Sequence, residues 1–410
     1  MSEGYKGCAQ TSKSELCNTY KNMLILIEMN FSDFNLRHLR AAIAIGRLGS
    51  ISAAMQAIHI SQPAITQGLS KLETMLGQLL FERRTEGMVA TEAGHLLFPR
   101  IETALAHIIS PQVTMTQLRA LIALADAGGY AAASNETGLA QPSLHRAVGD
   151  LSVVLKRKLV ERRGKGVALT DQGRRTARRF RLARAELEAG LSELAALLGR
   201  ETGRINIGAM PLSRARILPA AVAAFHREHP DVAINIIEGA FHELIEPLRD
   251  GDIDLMIGAM RAPSPGPDVA QQPLFDDHPA VIGRKGHPAL SDEPSLEKLA
   301  QYSWIIPAAG TPLRDGWARM FEKLSIPLPH VPIDCGSVIT IRQILIESDF
   351  LTLLSPDQVA VELEAGWLVK IASIPEGYTR NIGVTTRTEW RPTAMQEKFL
   401  TILKAISKAT

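Results

Sequence analysis

The chain has 410 residues, 46% hydrophobic and 21% charged, with a formal net charge of +2. That length predicts about two to four domains, and the apolar content allows sizeable cores. The near-neutral total hides an asymmetry: residues 1–200 carry 25 Lys+Arg against 17 Asp+Glu, whereas residues 201–410 carry 20 against 26. A basic half joined to an acidic half suggests a polyanion-binding module fused to something else, with ordinary surface charge as the bland alternative. The three cysteines, Cys8, Cys17 and Cys335, form no CxxC or Cys/His cluster, which argues against a disulfide framework or structural zinc and fits a reducing cytoplasm.

In chain order, residues 1–33 read as a loose, disordered extension, and Met29 is a candidate true start. The apolar run Met23–Ile27 is too short to span a bilayer and no cleavage site follows it, so neither a membrane segment nor a signal peptide is expected. An internal repeat follows. Shifted by 79 residues, Leu39–Ala44 (LRAAIA) lies on Leu118–Ala123 (LRALIA), Gln62-Pro63 on Gln141-Pro142, and Glu82-Arg83-Arg84 on Glu161-Arg162-Arg163. Leu72, Leu76 and Leu80 fall on Leu151, Leu155 and Leu159, and Thr91 and Gly94 on Thr170 and Gly173, with no gap.

Each copy reads as three helices and a short hairpin. In the first, Leu36, Leu39, Ile43 and Ile45 form an apolar stripe, and Gly49 ends the helix. Ser50 or Ser52 caps the next helix. Ser61 is a good N-cap for a third, with Pro63 in its first turn, where a missing N–H is tolerated. Ile65, Leu69, Leu72 and Leu76 face inward, and the helix ends near Gly77. Two short strands around a Glu-Gly tip follow.

The outward face of the third helix carries Gln62, Thr66, Gln67 and Lys71. A helix with polar side chains at its N-terminal end, held by a preceding helix and a tight turn, suits a DNA major groove. Gln fits the adenine N6/N7 pair and Thr a thymine methyl, while Lys71 is better placed for phosphate. Arg83 and Arg84, at the hairpin, can reach phosphate or a narrow minor groove. A plain helical bundle with a polar face is the alternative. In the second copy, Gln141, Pro142, His145 and Arg146 take the equivalent helix positions, and Arg162 and Arg163 those at the hairpin. Arg146 suits guanine. This copy has Ala140 for Ser61, Asp150 for Lys71, Ser152 for Glu73 and Lys156 for Gly77. It is nevertheless the more basic copy: residues 115–200 carry 15 Lys+Arg against 8 acids, residues 36–114 only 7 against 5. Either both copies touch DNA and lengthen the footprint, or one is a packing domain.

Gly173 to Gly199 reads as a long helix whose seam, Phe180, Leu187, Leu191, Leu194 and Leu198, suits a partner helix. An ordinary amphipathic helix on its own domain is the alternative. From Arg204 strands and helices alternate, predicting parallel sheets with helices on both faces, in two subdomains. The Pro-rich stretch Met260–Asp268 reads as a hinge or crossing between them. Ser213 follows the first strand and reads as opening a helix. Thr311, with Arg314 one turn in, and Ser337 open helices in the second subdomain. Hydroxyls and N–H groups there can hold an anion, or merely cap helices. Enzyme and cofactor motifs are lacking: Asp126–Ser134 (DAGGYAAAS) has no Walker lysine, no HExxH or other metal spacing occurs, and no GxSxG elbow exists.

The run from Gly49 to Gly94, GSISAAMQAIHISQPAITQGLSKLETMLGQLLFERRTEGMVATEAG, resembles the winged helix-turn-helix of LysR-type transcriptional regulators. The stretches Ile205–Pro230, Asp250–Met260, Gly310–Phe321 and Leu345–Gly366 resemble that family's effector-binding domain, which is itself similar to periplasmic solute-binding proteins. The resemblance covers about residues 36–407 and is nearest to the branch of galactose-binding-protein and protocatechuate-catabolism regulators. A second DNA-binding module departs from the usual single one.

The resemblance implies a multidomain chain: two all-α winged helix-turn-helix modules (34–112 and 113–172), a linker and dimerisation helix (173–199), and an α/β periplasmic-binding-protein-like domain (204–410). The last is expected to divide into 204–267 with 379–410, and 268–378. It implies double-stranded DNA, RNA polymerase and a small-molecule inducer, an organic acid or a sugar, as partners. Pro211, Ser213, Thr311, Arg314 and Ser337 would be at the inducer site, in a cytoplasmic homodimer or homotetramer with no cofactor. A stand-alone solute-binding protein or sensor is the competing reading.

Overall fold

The computed structural model describes residues 29–410 except 165, 292–293, 375–377 and 410; the readings made for residues 1–28 lie outside the described residues. The described residues form two compact units, divided between Thr202 and Gly203.

In the first unit, helix α1 (Leu36–Leu48) is capped by Asn35 and stopped by Gly49 at φ 71°. Helix α2 (Ile51–Ile58) starts at Ser50, whose Oγ accepts the Ala53 N–H at 3.2 Å. Helix α3 (Gln62–Leu76) ends at Gly77, φ 64°. Strands β1 (Phe81–Arg84) and β2 (Gly87–Ala90) form the hairpin, and Thr91 caps α4 (Glu92–His107). The second copy repeats this with α5 (Met115–Ala127), α6 (Tyr130–Thr137), α7 (Gln141–Leu155), β3 (Val160–Arg163), β4 (Gly166–Leu169) and α8 (Asp171–Leu197). The hairpins make each copy helical with a small sheet rather than all-α.

Repeat-equivalent residues do equivalent structural work. Thr91 Oγ1 donates to Leu79 O at 2.6 Å and accepts the Gly94 N–H; Thr170 Oγ1 donates to Lys158 O at 2.7 Å and accepts the Gly173 N–H. A Cβ on Gly94 would stand 2.5 Å from Leu80 O, and one on Gly173 2.0 Å from Leu159 O, so each helix start lies against the residue that enters its hairpin only because no side chain intervenes. The stripe Leu36, Leu39, Ile43, Ile45 and the inward row Ile65, Leu69, Leu72, Leu76 are buried as their periodicity predicts. They belong to one continuous cluster with Leu118, Leu144, Leu151, Phe180 and Leu187, so both copies share a core.

Of the long-helix seam, Phe180, Leu187 and Leu194 are buried within the chain, Leu191 is half-buried, and Leu198 lies just past the helix end. Helix α8 packs antiparallel to α4: Arg179, early in α8, donates to the Ala106 and His107 carbonyls at the end of α4, whereas Gly190 lies against Leu97. Between these points Arg100 is buried and pairs with Glu186 at 3.2 Å and Glu193 at 2.6 Å. Burial opposes the Arg100 charge, but the two carboxylates outweigh it and hold the guanidinium pKa above its ordinary value.

The second unit contains two five-stranded sheets. Its chain order runs β5 (Gly203–Ala209), α9 (Ile217–Glu228), β6 (Val232–Glu238), α10 (Phe241–Asp250), β7 (Leu255–Ala259), β8 (Val269–Asp277), β9 (Ala280–Arg284) and α11 (Leu296–Leu299). Then follow β10 (Trp304–Ile306), α12 (Pro312–Glu322), β11 (Ile333–Asp334), α13 (Val338–Ile346), β12 (Leu351–Leu354), α14 (Ala360–Glu364), β13 (Leu368–Ser373), β14 (Arg380–Arg387) and α15 (Ala394–Ala409). The sheet orders are β6-β5-β7-β14-β8 and β11-β10-β12-β9-β13.

The second unit departs from its expected form in two ways. The sheets are mixed rather than parallel: β14 runs against β7 and β8, and β9 against β12 and β13. The chain also crosses later than the Pro-rich stretch. Strand β8 belongs to the first sheet through its pairing with β14, so the crossing lies between Asp277 and Ala280, and residues 268–277 leave the second subdomain.

Candidate functional site

On α3, Gln62, Pro63, Thr66, Gln67 and Lys71 are all exposed, because Ile65, Leu69 and Leu72 take the opposite face inward. Ser61 is exposed at the N-cap, but its hydroxyl makes no capping bond; the backbone carbonyl alone accepts the Ile65 N–H, at 3.1 Å. The expected capping bond is therefore absent, and Ala140 in the second copy loses no such bond. Arg83 and Arg84 are exposed on β1, and Arg84 bonds Glu82 on the same strand at 2.8 Å. His38 of α1 was not legible as part of this face. Its ring lies where a Cβ on Gly68 would stand 3.0 Å away, and burial, then the Lys71 charge, lowers its pKa.

On α7, Gln141, Pro142, His145 and Arg146 are exposed, as are Arg162 and Arg163 on β3. The His145 ring rests against Tyr130 of α6, centroids 5.2 Å apart, which orients it. Lys156, Arg157 and Lys158 are also exposed between α7 and β3, extending the basic surface beyond the arginines singled out from sequence. The third helix of each copy thus presents a polar face next to a hairpin bearing two arginines, the arrangement needed to combine base contacts with phosphate contacts.

In the second unit, a cavity of about 970 Å³ lies between the two subdomains. Pro211, Arg214 and Arg216 approach from the turn after β5, and Glu238–Ala240 from the end of β6. Opposite them stand Ser337–Ile339 at the start of α13, Arg342, and residues 357–358, 360–362 and 364. Of the five residues expected there, Pro211 and Ser337 line it. Ser213 does not: residues 211–216 form turns and α9 begins only at Ile217, so Ser213 is buried with its hydroxyl donating to Met210 O at 2.8 Å. Thr311 caps α12 and donates to Ala308 O, and Arg314 bonds Asp334 at 2.8 Å and lies over the Trp317 ring; neither lines the cavity. Ser337 also caps its helix through the Thr340 N–H.

The arginines of the cavity were missed from sequence because their turn and helix carry no motif. Arg216 reaches across to Asp357 at 3.3 Å, Arg342 pairs with Glu362 at 3.0 Å, and Arg214 pairs with Glu238. Glu362 Oε2 and Arg342 Nε are buried without a hydrogen-bond partner. Among the described residues no group of three or more His, Cys, Asp or Glu could hold a metal ion, and no helix is long and apolar enough to cross a membrane.

Comparison with known proteins identifies both units. The family described as bacterial regulatory helix-turn-helix protein, lysR family, matches twice, at residues 36–95 and 115–174, and the LysR substrate binding domain matches residues 198–407. The chain is 30% identical over 367 residues to the HTH-type transcriptional regulator GalR of Pseudomonas putida, covering 86% of this chain and 92% of that one. It is 24% identical to the HTH-type transcriptional regulator PcaQ of Agrobacterium fabrum, over 70% of this chain and 92% of that one. Among solved structures, ArgP from Mycobacterium tuberculosis shares the fold with a TM-score of 0.55, at 20% identity, over 71% of this chain and 96% of that one. The chain belongs to the LysR family of bacterial transcriptional regulators, non-enzymatic DNA-binding proteins with an effector-binding domain.

Proposed function

We propose that this regulator reads DNA sequence through α3 and α7 and is controlled, in the cytoplasm, by a small molecule held between the two subdomains of its second unit. The observation that carries this is the twin exposed faces, Gln62, Thr66 and Gln67 on one helix and Gln141, His145 and Arg146 on the other, each beside an arginine-bearing hairpin. Gln67 and Arg146 supply base contacts; Lys71, Arg83, Arg84, Arg162 and Arg163 supply phosphate contacts. Contact with RNA polymerase and assembly into dimers or tetramers complete the reading.

The ligand is better matched by a neutral, hydroxyl-rich molecule such as a sugar than by an organic acid. Each cavity arginine already has a carboxylate partner, and Glu243 and Glu364 add further negative charge to the lining. A free carboxylate would have to displace one of those pairs.

The test is binding to a duplex selected by the full chain from a randomised pool, at fixed salt. Arg146→Ala and Gln67→Ala each lose about tenfold in affinity and relax sequence preference, a loss of ~1–3 kcal/mol. Arg83→Ala weakens all sequences alike and lowers the salt slope by about one. Wild-type affinity and footprint in both Gln67→Ala and Arg146→Ala would refute base reading by these residues. If cleft and DNA are coupled, saturating duplex shifts sugar affinity by the factor by which sugar shifts duplex affinity.

A further inference from the structure

The two copies contact one another through the same surface used twice. Arg100 and Arg179 are repeat-equivalent, and so are His107 and Glu186, each pair separated by the 79-residue shift between the two helix-turn-helix matches. Arg100 bonds the Glu186 side chain, and Arg179 bonds the His107 carbonyl. If residue i of one copy meets residue j of the other, the equivalent of i meets the equivalent of j in exchange. This reciprocity is the signature of an isologous, two-fold interface. The antiparallel pairing of α4 with α8 places its midpoint at Ala104 and Ala183, themselves repeat-equivalent and both fully buried.

Each copy is also seated on its own terminal helix in the same way. Arg47 of α1 pairs with Glu102 of α4 at 2.8 Å; at the equivalent positions Asp126 of α5 pairs with Arg181 of α8, with the charges exchanged. A half-turn that superposes α4 on α8 therefore carries α3 onto α7. Duplex DNA has the same symmetry, since inverted half-sites are related by a half-turn about an axis across the double helix.

We propose that one chain is a complete two-headed reader, whose α3 and α7 enter two inverted half-sites of unlike sequence on one duplex. The inference rests on the proposed reading of DNA by these helices. The halves differ because the heads differ: Thr66 and Gln67 suit A·T pairs, whereas Arg146 suits guanine. The seam that brings the heads together lies within the chain, so two chains are not needed to fill two half-sites.

The experiment uses the full chain and the duplex it selects from a randomised pool. Hydroxyl-radical footprints of wild type, Gln67→Ala and Arg146→Ala are combined with native mass spectrometry of the complexes. The expected result is two protected blocks per bound chain, about 10 bp or a multiple apart between centres. Gln67→Ala thins one block and Arg146→Ala the other, each with about tenfold weaker binding. One block per chain, or both substitutions thinning the same block, overturns the inference while leaving DNA reading intact. If the wild type selects no duplex, the proposed function falls and this inference with it.

Discussion

The two helix-turn-helix copies have the same helices, the same hairpin and the same core rows, yet they are braced differently. In the first, the Glu73 carboxylate accepts the Leu80 and Phe81 N–H groups, at 2.8 and 3.4 Å, and ties the end of α3 to the start of the hairpin. In the second, Ser152 stands at that position and its hydroxyl turns back to Val148 O at 2.9 Å. The first copy ends α3 on Gly77, φ 64°; the second ends α7 on Lys156, φ 52°, a left-handed conformation that disfavours a side chain. The first hairpin also rests on the turn after α1, with Met88 N–H donating to Gly49 O at 2.8 Å and Gly87 so close that a Cβ would stand 2.5 Å from that oxygen. Features shared by both copies, the threonine caps, the close glycines and the paired terminal helices, hold the modules together. Features that differ lie at the wing and at the reading face, where variation leaves the joint core intact.

The largest expected effect sharpens this contrast at the seam. Arg100→Ala takes a buried guanidinium away from two carboxylates with little solvent, Glu186 and Glu193, and destabilises the first unit by ~3–5 kcal/mol. Its repeat-equivalent, Arg179→Ala, removes only exposed bonds to helix-end carbonyls and costs about 1 kcal/mol. Urea denaturation of the full chain measures both. Equal losses would mean that the seam is as wet at Arg100 as at Arg179.

A smaller difference is expected at the braces. Glu73→Ala strips two backbone N–H groups of their acceptor and costs ~1–3 kcal/mol, whereas Ser152→Ala changes stability by less than about 0.5 kcal/mol. Amide hydrogen exchange at Leu80 and Phe81 should rise in Glu73→Ala; unchanged protection would remove the brace from the account. The smallest effect is a gain. Lys156→Gly relieves left-handed strain but adds unfolded-chain entropy, for a net stabilisation of about 0.5 kcal/mol. A loss on calorimetry would show that the Lys156 side chain makes a compensating contact.

Much of the first unit was legible because its signals are local. Gly49 and Gly77 end helices through their own φ, Ser50 caps α2 across three residues, and a leucine row declares its inward face by spacing alone. The errors arose where a local signal had two physical outcomes. Ser61 satisfies the composition of an N-cap but its hydroxyl makes no such bond, and Ser213 lies within a turn rather than at the start of a helix. Strand β8 escaped notice because it is a sheet edge: Pro273 is tolerated at its bulge opposite the Ile382–Gly383 step, and its end carries Asp276 and Asp277, the latter buried against Arg380, so it has no apolar alternation to read. The cleft arginines escaped because their partners, such as Asp357 for Arg216, lie far along the chain.

By itself the sequence determined that two equivalent modules exist, where their helices begin and end, which face of each is polar, and that α8 carries an apolar seam in need of cover. Periodicity and capping are properties of a few neighbouring residues, so they survive without knowledge of the fold. What covers that seam was decided only by the tertiary structure. An apolar stripe is satisfied equally by a helix of another chain or of its own, since burial is non-directional. The choice of α4 follows from reciprocal packing around Ala104 and Ala183 and from the Arg100 cluster, contacts between residues 86 and 93 positions apart that no local pattern encodes.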